Sequence, residues 1–481
     1  MGIFRTNNPL QFAEVDGIVI DETAPAPNIQ GVGTGVVILV GQFQRGPHTL
    51  ERVSSTKQFH EVYGKSSALG NVQLKNKKFS ALKIIRVEPT SSAKASRTLV
   101  SSTPTNLLTL TAKWKGVYGN SIRVRVENGS ISGKKITIED TNENAKEFFP
   151  DEVYDNFVMA DAASRLASSK LVDATVLSTA QEPVNLAFTA LSGGSNGTLA
   201  DVDYEAALVK AEVEGAGNIL FLDQYNQTRN TYLKTHAALT QDKIVICSEE
   251  ESDLVSDNVS DVALLRDTDG RIIYASNWVL TLVDGVPTYT SPASWYASIL
   301  SQTPPNLDPA YSGNAGLLFG VIGLKKLLTR DEFIQLMQAG VSSFEQDLDI
   351  GFKIKSGVVT QIANSSKLTV LRRRMADYLT NSIGRFLKLY QNDINSASKR
   401  LAVKSAIQNF ITQQEALGIL PRDNEVQGGA AKIVDIVSEN TDQTIAEGKF
   451  FIVYKQRIYS AMRFIVLRAE IGESVVVTEG E

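Results

Sequence analysis

A multidomain fold that mixes α/β and α+β parts, with strand-rich arms at both chain ends, is what this sequence predicts. Three observations carry the expectation. The length of 481 residues suits about three domains of ~150 residues each. Two β-prone stretches stand near the ends: VDGIVIDETAPAPNIQGVGTGVVILVG, Val15 to Gly41, and KFFIVYKQRIYSAMRFIVLRAEIGESVVV, Lys449 to Val477. Asp16-Gly17 stands at the start of the first, ahead of its strand-like run, and neither stretch holds a tight Asn-Gly or Asp-Gly turn between two such runs, so both read as arms that do not fold back and whose edges need partners from other chains. Between them, strands and helices alternate in the pattern of a parallel sheet.

Along the chain, GVVILVGQF, Gly35 to Phe43, is a continuous apolar run of the buried-strand type, and Arg45-Gly46-Pro47 breaks it. SSTKQFHEVYG, Ser54 to Gly64, predicts a short helix with a Ser or Thr cap and a glycine stop. ALKIIRV, Ala81 to Val87, is a second buried strand. Residues 99–195 change character: LLTLTAKW and SIRVRVE alternate, and Asn128-Gly129 leads toward KKITIED in a hairpin pattern, so a separate β-rich insert is expected. Ser192 to Gly197 reads as a linker. NILFLD, a helix and KIVICSE follow, the strand–helix–strand order of a parallel sheet. Asp284-Gly285 marks a turn, and Thr329 with Glu332 forms a capping box for a helix ending at Gly340. Leu368 to Tyr390 is the clearest helix, with Leu371, Met375, Leu379, Ile383 and Phe386 at three- and four-residue steps. A second helix is expected from Ser398 to Leu417.

Composition bounds the function. Hydrophobic content of 43% and charged content of 21% are those of a soluble globular chain, and the net charge of −5 argues against a nucleic-acid binder. Cys247 is the sole cysteine, which excludes an intrachain disulfide and reads as a packed core thiol. The opening MGIFRTNNPLQF lacks the apolar core of a signal peptide, and no apolar run reaches ~18 residues, so neither a leader nor membrane insertion is expected.

Chemistry-bearing motifs are missing. Gly31-Val32-Gly33-Thr34-Gly35 fails as a dinucleotide fingerprint, because its third glycine position is Val36 and a strand follows. Gly64-Lys65-Ser66 fails as a P-loop, because the first glycine position is Phe59. His48, His60 and His236 have no ligand spacing to one another or to Cys247, so no metal is expected. Asp223 and His236 could supply two members of a hydrolase triad, but no nucleophile motif accompanies them. No catalytic residue and no cofactor is therefore assigned. One basic signal remains: Lys367 to Tyr390 holds six basic side chains and one acidic, and Lys367, Arg374, Arg385 and Lys388 share a stripe at ~100° per residue. It reads either as a solvated helix face or as a docking stripe for an acidic protein surface.

Set side by side, these pieces resemble the contractile tail sheath proteins of bacteriophages and related contractile injection machines. GIVIDETAPAPNIQGVGTGVVILVGQFQRGP is similar to the family's opening; VSSTKQFHEVYG, ALKIIRV and LTLTAKWKGVYGNSIRVRV, with its Gly119-Asn120, resemble the segments that follow, and the helix pair and final ribbon resemble its C-terminal domain. The chain departs from the family pattern at TSPASWYASILSQTPPN and in ten residues after Ile471. The resemblance implies an arm and linker at 1–34, a split inner α+β core formed by both chain ends (35–98 and 366–462), a β-sandwich-like insert at 99–195, a subtilisin-like but non-catalytic α/β domain at 196–365, and a C-terminal strand arm and tail at 463–481. It implies strand exchange between subunits, through Val15, Ile18 and Ile20 on the first arm and Phe464, Val466 and Leu467 on the last. Ala24, Pro25, Ala26 and Pro27 suit a semi-rigid hinge. Head-to-tail contacts of this kind do not close and give a helical homopolymer, expected as hexameric rings around a tail tube that the basic stripe faces. Baseplate and tail terminator proteins are the other implied partners, and a virion tail assembled in the host cytoplasm the implied location. A bacteriocin-like or secretion-type particle, a tube or baseplate protein, and an α/β hydrolase-like enzyme are the alternatives.

Overall fold

A computed structural model describes residues 2–5, 17–20, 29–142, 146–215, 217–311, 316–361, 369–425 and 431–462. The chain divides into two compact units: Gly33–Asp377, and Met1–Val32 with Tyr378–Glu481.

The larger unit is organised by an eight-stranded sheet. Its early strands are β3 (Val36–Gly41), β4 (Glu51–Val53) and β5 (Ala81–Arg86), after the pair β1 (Gly2–Arg5) and β2 (Gly17–Ile20) that belongs to the other unit. An insert follows with β6 (Ser96–Val100), β7 (Asn106–Ala112), β8 (Ile122–Asn128), β9 (Lys134–Asp140), β10 (Glu152–Phe157), β11 (Val172–Val176) and β12 (Leu186–Ala190). The chain then returns to the large sheet with β13 (Ile219–Leu222), β14 (Ile244–Ser248) and β15 (Ile272–Ser276). After β16 (Val279–Val283), β17 (Val286–Thr290) and β18 (Val321–Leu324), which form a small antiparallel sheet, β19 (Val341–Asp347) and β20 (Gly351–Ile354) complete it. The order is β20-β19-β15-β14-β13-β3-β5-β4, with β19, β15, β14, β13, β3 and β5 parallel in sequence. Strands covered on both faces are mostly apolar: every residue of β13, β14 and β15 is buried, with Ser248 and Ser276 closing the last two, and so are the last five of β3.

This pairing corrects the expected domain plan. β3 bonds to β13 in register, Val37 with Ile219 through Val40 with Leu222, and to β5 on its other side. The strands β3, β4 and β5 of the expected 35–98 segment therefore share one sheet with strands of 196–365, whereas β6, at its end, belongs to the insert. A strand apolar on both faces needs a neighbour at each edge and cover above and below, and β5 and β13 are those neighbours. The helix Pro292–Gln302, drawn from the segment that departs from the family pattern, supplies cover on one face. Ser291 caps it, Pro292 opens it, and its first ten residues are all buried.

The insert forms two antiparallel sheets, β10-β9-β8-β12 and β11-β7-β6, around a core of its own that includes Leu108, Leu110, Val124, Ile136, Ile138 and Phe157. The hairpin read at Asn128-Gly129 exists, but its loop spans 129–133, with Gly133 at φ 64°. Ser192–Gly197 is not a free linker. It makes antiparallel bridges, Ala93 with Ser195 and Ser96 with Ser192, and the Asn120 amide bonds both the N–H and the C=O of Gly194 at 2.9 Å. Two buried arginines fasten the insert to the body. Arg45 lies over the rings of Tyr118 and Phe149, at 4.8 and 4.6 Å, and donates to the carbonyls of His60 and Glu61. Arg86 donates to the carbonyls of Phe43, Gly46 and Lys115.

Helix Val370–Leu387 begins in the larger unit and ends in the smaller, and a 3₁₀ turn, Lys388–Tyr390, extends it. The smaller unit adds helix Ala397–Ala416, capped by Ser396, and an antiparallel pair of β21 (Lys432–Ile436) and β22 (Ile452–Gln456). Val32 N donates to Ser382 Oγ at 3.1 Å, and a Cβ on Gly31 would fall 2.3 Å from the Tyr378 hydroxyl. The glycine at 31 thus serves close packing against this helix, not a dinucleotide.

Candidate functional site

The features best placed for work are unsatisfied strand edges, and they lie in the smaller unit. β21 and β22 pair only with each other among the described residues, which leaves an open edge on each side. Only Val434 of the ten paired residues is buried. A two-stranded sheet with so little cover is marginal alone and gains from added strands. In the same unit, Leu389, Ile394, Leu401, Leu417 and Met462 are exposed large apolar side chains. Sequence reasoning named strands to be donated but missed this hairpin and its open edges. The alternation in KIVDI and IVYKQ was the available signal.

At the other end of the chain, β1 and β2 form a parallel pair with Ile18 opposite Ile3 and Ile20 opposite Arg5. The expectation of a first arm with no partner in its own chain is corrected. Parallel partners need a long connection, so the missing tight turn could not report them. Among the described residues this pair also keeps two open edges. Val15, the hinge residues Ala24, Pro25, Ala26 and Pro27, the arm residues Phe464, Val466 and Leu467, and Lys367 lie outside the described residues.

The basic stripe is divided by the structure. Arg385 and Lys388 are exposed. Arg374 is 2% exposed, and its guanidinium donates to the carbonyls of Leu300 and Thr303 at 2.9 and 2.8 Å. It caps the C-terminal end of helix Pro292–Gln302, where carbonyls lack helical partners and attract a cation. Burial pushes its pKa down to about 10, which still leaves it charged near neutrality. Arg374 is therefore removed from the tube-facing stripe. Close by, Asp377 accepts two 3.0 Å bonds from Arg271 and a further one from Arg373, all with side chains at most 10% exposed.

The hydrolase alternative has its geometry tested directly. In a doubly wound sheet, ligands bind beyond the carboxyl ends of the strands where the order reverses. Here that point lies between β3 and β13, and Asp223 fills it. Asp223 Oδ2 accepts from Gln42 N and Oδ1 from the Tyr204 hydroxyl, both at 2.7 Å, and a Cβ on Gly41 would lie 2.9 Å from the Asp223 side chain. His236 sits in helix Gln227–Thr240, 4% exposed, and its Nε2 has no hydrogen-bond partner. The structure does not join the two residues by a hydrogen bond. Cys247 is buried, with its thiol pKa pushed up by desolvation, and no cluster of three metal-ligating side chains occurs among the described residues.

These two buried groups make a pH prediction with opposed signs. Burial raises the Asp223 carboxyl to about 6, so the folded state holds its proton more tightly and this contribution falls as pH rises from about 4 to 6. Burial, followed by Lys243, lowers His236 to about 4, so its contribution is lost as pH falls from about 6.5 to 4. His236→Gln should therefore lessen destabilisation on acidification, by up to roughly 3 kcal/mol at pH 4, and Asp223→Asn should steepen it. Urea midpoints measured from pH 7 to 4 check both slopes.

Neither a protein-family model nor a curated protein matches the sequence. Solved structures do. The sheath tail protein from Listeria innocua superposes with a TM-score of 0.65 at 17% identity, over 89% of this chain and 96% of that one. The sheath tail protein from Desulfitobacterium hafniense gives 0.61 at 16% identity, over 92% and 100%. The helical sheath of the anti-feeding prophage, in its contracted state, gives 0.56 at 14% identity, over 95% and 99%. The fold is that of contractile tail sheath proteins. Its likenesses span both tail sheath proteins and the sheaths of contractile injection systems, across nearly the whole chain.

Proposed function

We propose that this chain is the structural subunit of a contractile sheath, which polymerises into a helical cylinder around a tube and shortens to drive that tube through a target envelope. The observation that carries the reading is the near full-length likeness to sheath proteins. Open strand edges at β1–β2 and β21–β22 support strand exchange as the link, since added strands contribute backbone hydrogen bonds while alternate side chains set register. Linked in this way, subunits could move relative to one another without parting. Contraction then follows as release from a kinetically trapped extended array, with no nucleotide hydrolysed. The anti-feeding prophage and PVC sheaths are each seen in a contracted state, and we extend that behaviour to this chain. A tail tube, a baseplate and a terminator are the partners in this reading, and a phage tail its setting. A bacteriocin-like or secretion-type particle is favoured equally by the likeness to injection-system sheaths.

Electron microscopy of the purified protein tests the reading. Hollow striated cylinders are expected, and discrete particles at every concentration would count decisively against it. Arg385→Glu with Lys388→Glu should weaken co-assembly with the tube while changing stability by less than about 0.5 kcal/mol, because both side chains are exposed. Undiminished co-sedimentation with tube would end the idea that this face meets it.

A further inference from the structure

A cavity of about 520 Å³ opens where β4 and β5 meet the residues 75–79 and the start of helix Thr56–Tyr63. Val53, Phe59, Leu74, Phe79 and Leu82 supply apolar lining, whereas Arg52, Lys75 and Lys77 supply positive charge, and no Asp or Glu lines it. Two polar groups there are incompletely matched. Lys77 Nζ lies 4.3 Å from the Trp295 ring centroid and donates to the Lys75 carbonyl, but it has no carboxylate partner among the described residues. Burial drives its pKa well below the ordinary lysine value, the signature of a cation lacking an anion. Asn71 is 3% exposed; its Nδ2 donates to Gly64 O at 2.7 Å, and its Oδ1 has no partner. Lys75 is held only by the exposed Asp284, a pair readily exchanged for another. β4 is the last strand of the sheet, with its outer edge open among the described residues.

We propose that this cavity receives the acidic tail, Glu470–Glu481, of a neighbouring copy of the chain. The inference rests on the self-assembling reading above. Charge complementarity selects the occupant: the tail carries Glu470, Glu473, Glu479 and Glu481 with no basic residue. Between them, Ser474-Val475-Val476-Val477-Thr478 is β-prone in composition, and in an extended form a valine would reach the apolar lining while a glutamate meets Lys77 and Lys75. The tail would give Lys77 the anion that the described residues do not.

Two measurements decide it. A labelled peptide of Glu470–Glu481 should bind the full-length protein saturably in fluorescence anisotropy. Affinity should fall at least tenfold with Lys77→Glu, fall less with the exposed Lys75→Glu, and weaken with salt. Binding unchanged in both variants, or equalled by a peptide with glutamine at its four glutamates, overturns the proposal. In the second measurement, a Thr56→Cys protein is mixed with a Glu479→Cys protein under oxidising conditions. The native Cys247 is buried, so a covalent dimer reports the contact between copies. Cylinders that form without such a dimer sink the tail proposal and leave the sheath reading standing; peptide binding without cylinders does the reverse.

Discussion

Removal of residues 1–27, or of 464–481, should abolish cylinder formation while leaving a cooperative thermal transition. Among the described residues, the buried cores are built from Val37 to Val370. The loss should be complete rather than graded, because a helical polymer depends on a link at every subunit and, under the proposed strand exchange, each deletion would remove one donated strand from all of them. Negative-stain images at several concentrations, alongside a melting curve, give the answer. Normal cylinders from either truncated protein would remove strand exchange as the linking device. Cylinders that form but dissociate on dilution would instead place only part of the link in the arms.

The largest effect on stability is expected at Asp377. Its carboxylate pairs with two buried guanidinium groups, Arg271 in a bidentate pair and Arg373 one helical turn away. Asp377→Ala leaves both cations without a counter-charge, and uncompensated buried charge of this kind costs about 3–5 kcal/mol. Arg271 also gains its backbone N–H anchor from Asp267 at 2.9 Å, so it cannot swing freely to solvent. Chemical denaturation of the Asp377→Ala protein should show a lower midpoint with an unchanged slope. A change under 1 kcal/mol would mean that the two arginines find other partners. Arg385→Ala, on the same helix but exposed, is the matched control.

Much of this architecture was written in the sequence because local and global demands agree there. VVILV, ILFL and IVIC are apolar at every position, and each proved to lie in a strand covered on both faces. Thr329 and Glu332 form the reciprocal cap that their spacing implied, with Gly340 ending the helix at φ 94°. What stayed hidden was non-local. Nothing in VVILV says that its partner is ILFL, across an entire inserted domain. Arg374 borders the apolar row of Leu371 and Met375 just as an exposed arginine would; only the carbonyls of Leu300 and Thr303, supplied by a distant helix end, turn it inward. Ser192–Gly197 has linker composition, and its fixed path depends on Asn120, far away in sequence. At the candidate assembly surface, the β-rich ends were legible, whereas the open edges of the β21–β22 hairpin required seeing which strands lacked neighbours.

The bridges of Ala93 with Ser195 and Ser96 with Ser192 bring the two ends of the insert side by side. An element that leaves and re-enters at one point behaves as a cassette. Exchanging or lengthening what lies between those bridges does not alter the register of the eight-stranded sheet, and a longer closed loop adds only slowly to the entropic cost. The parts of the cassette face that Arg45 and Arg86 do not hold are thus free to diverge at the pace of whatever meets them. The same port offers engineers a place to graft a foreign domain onto every subunit of an array.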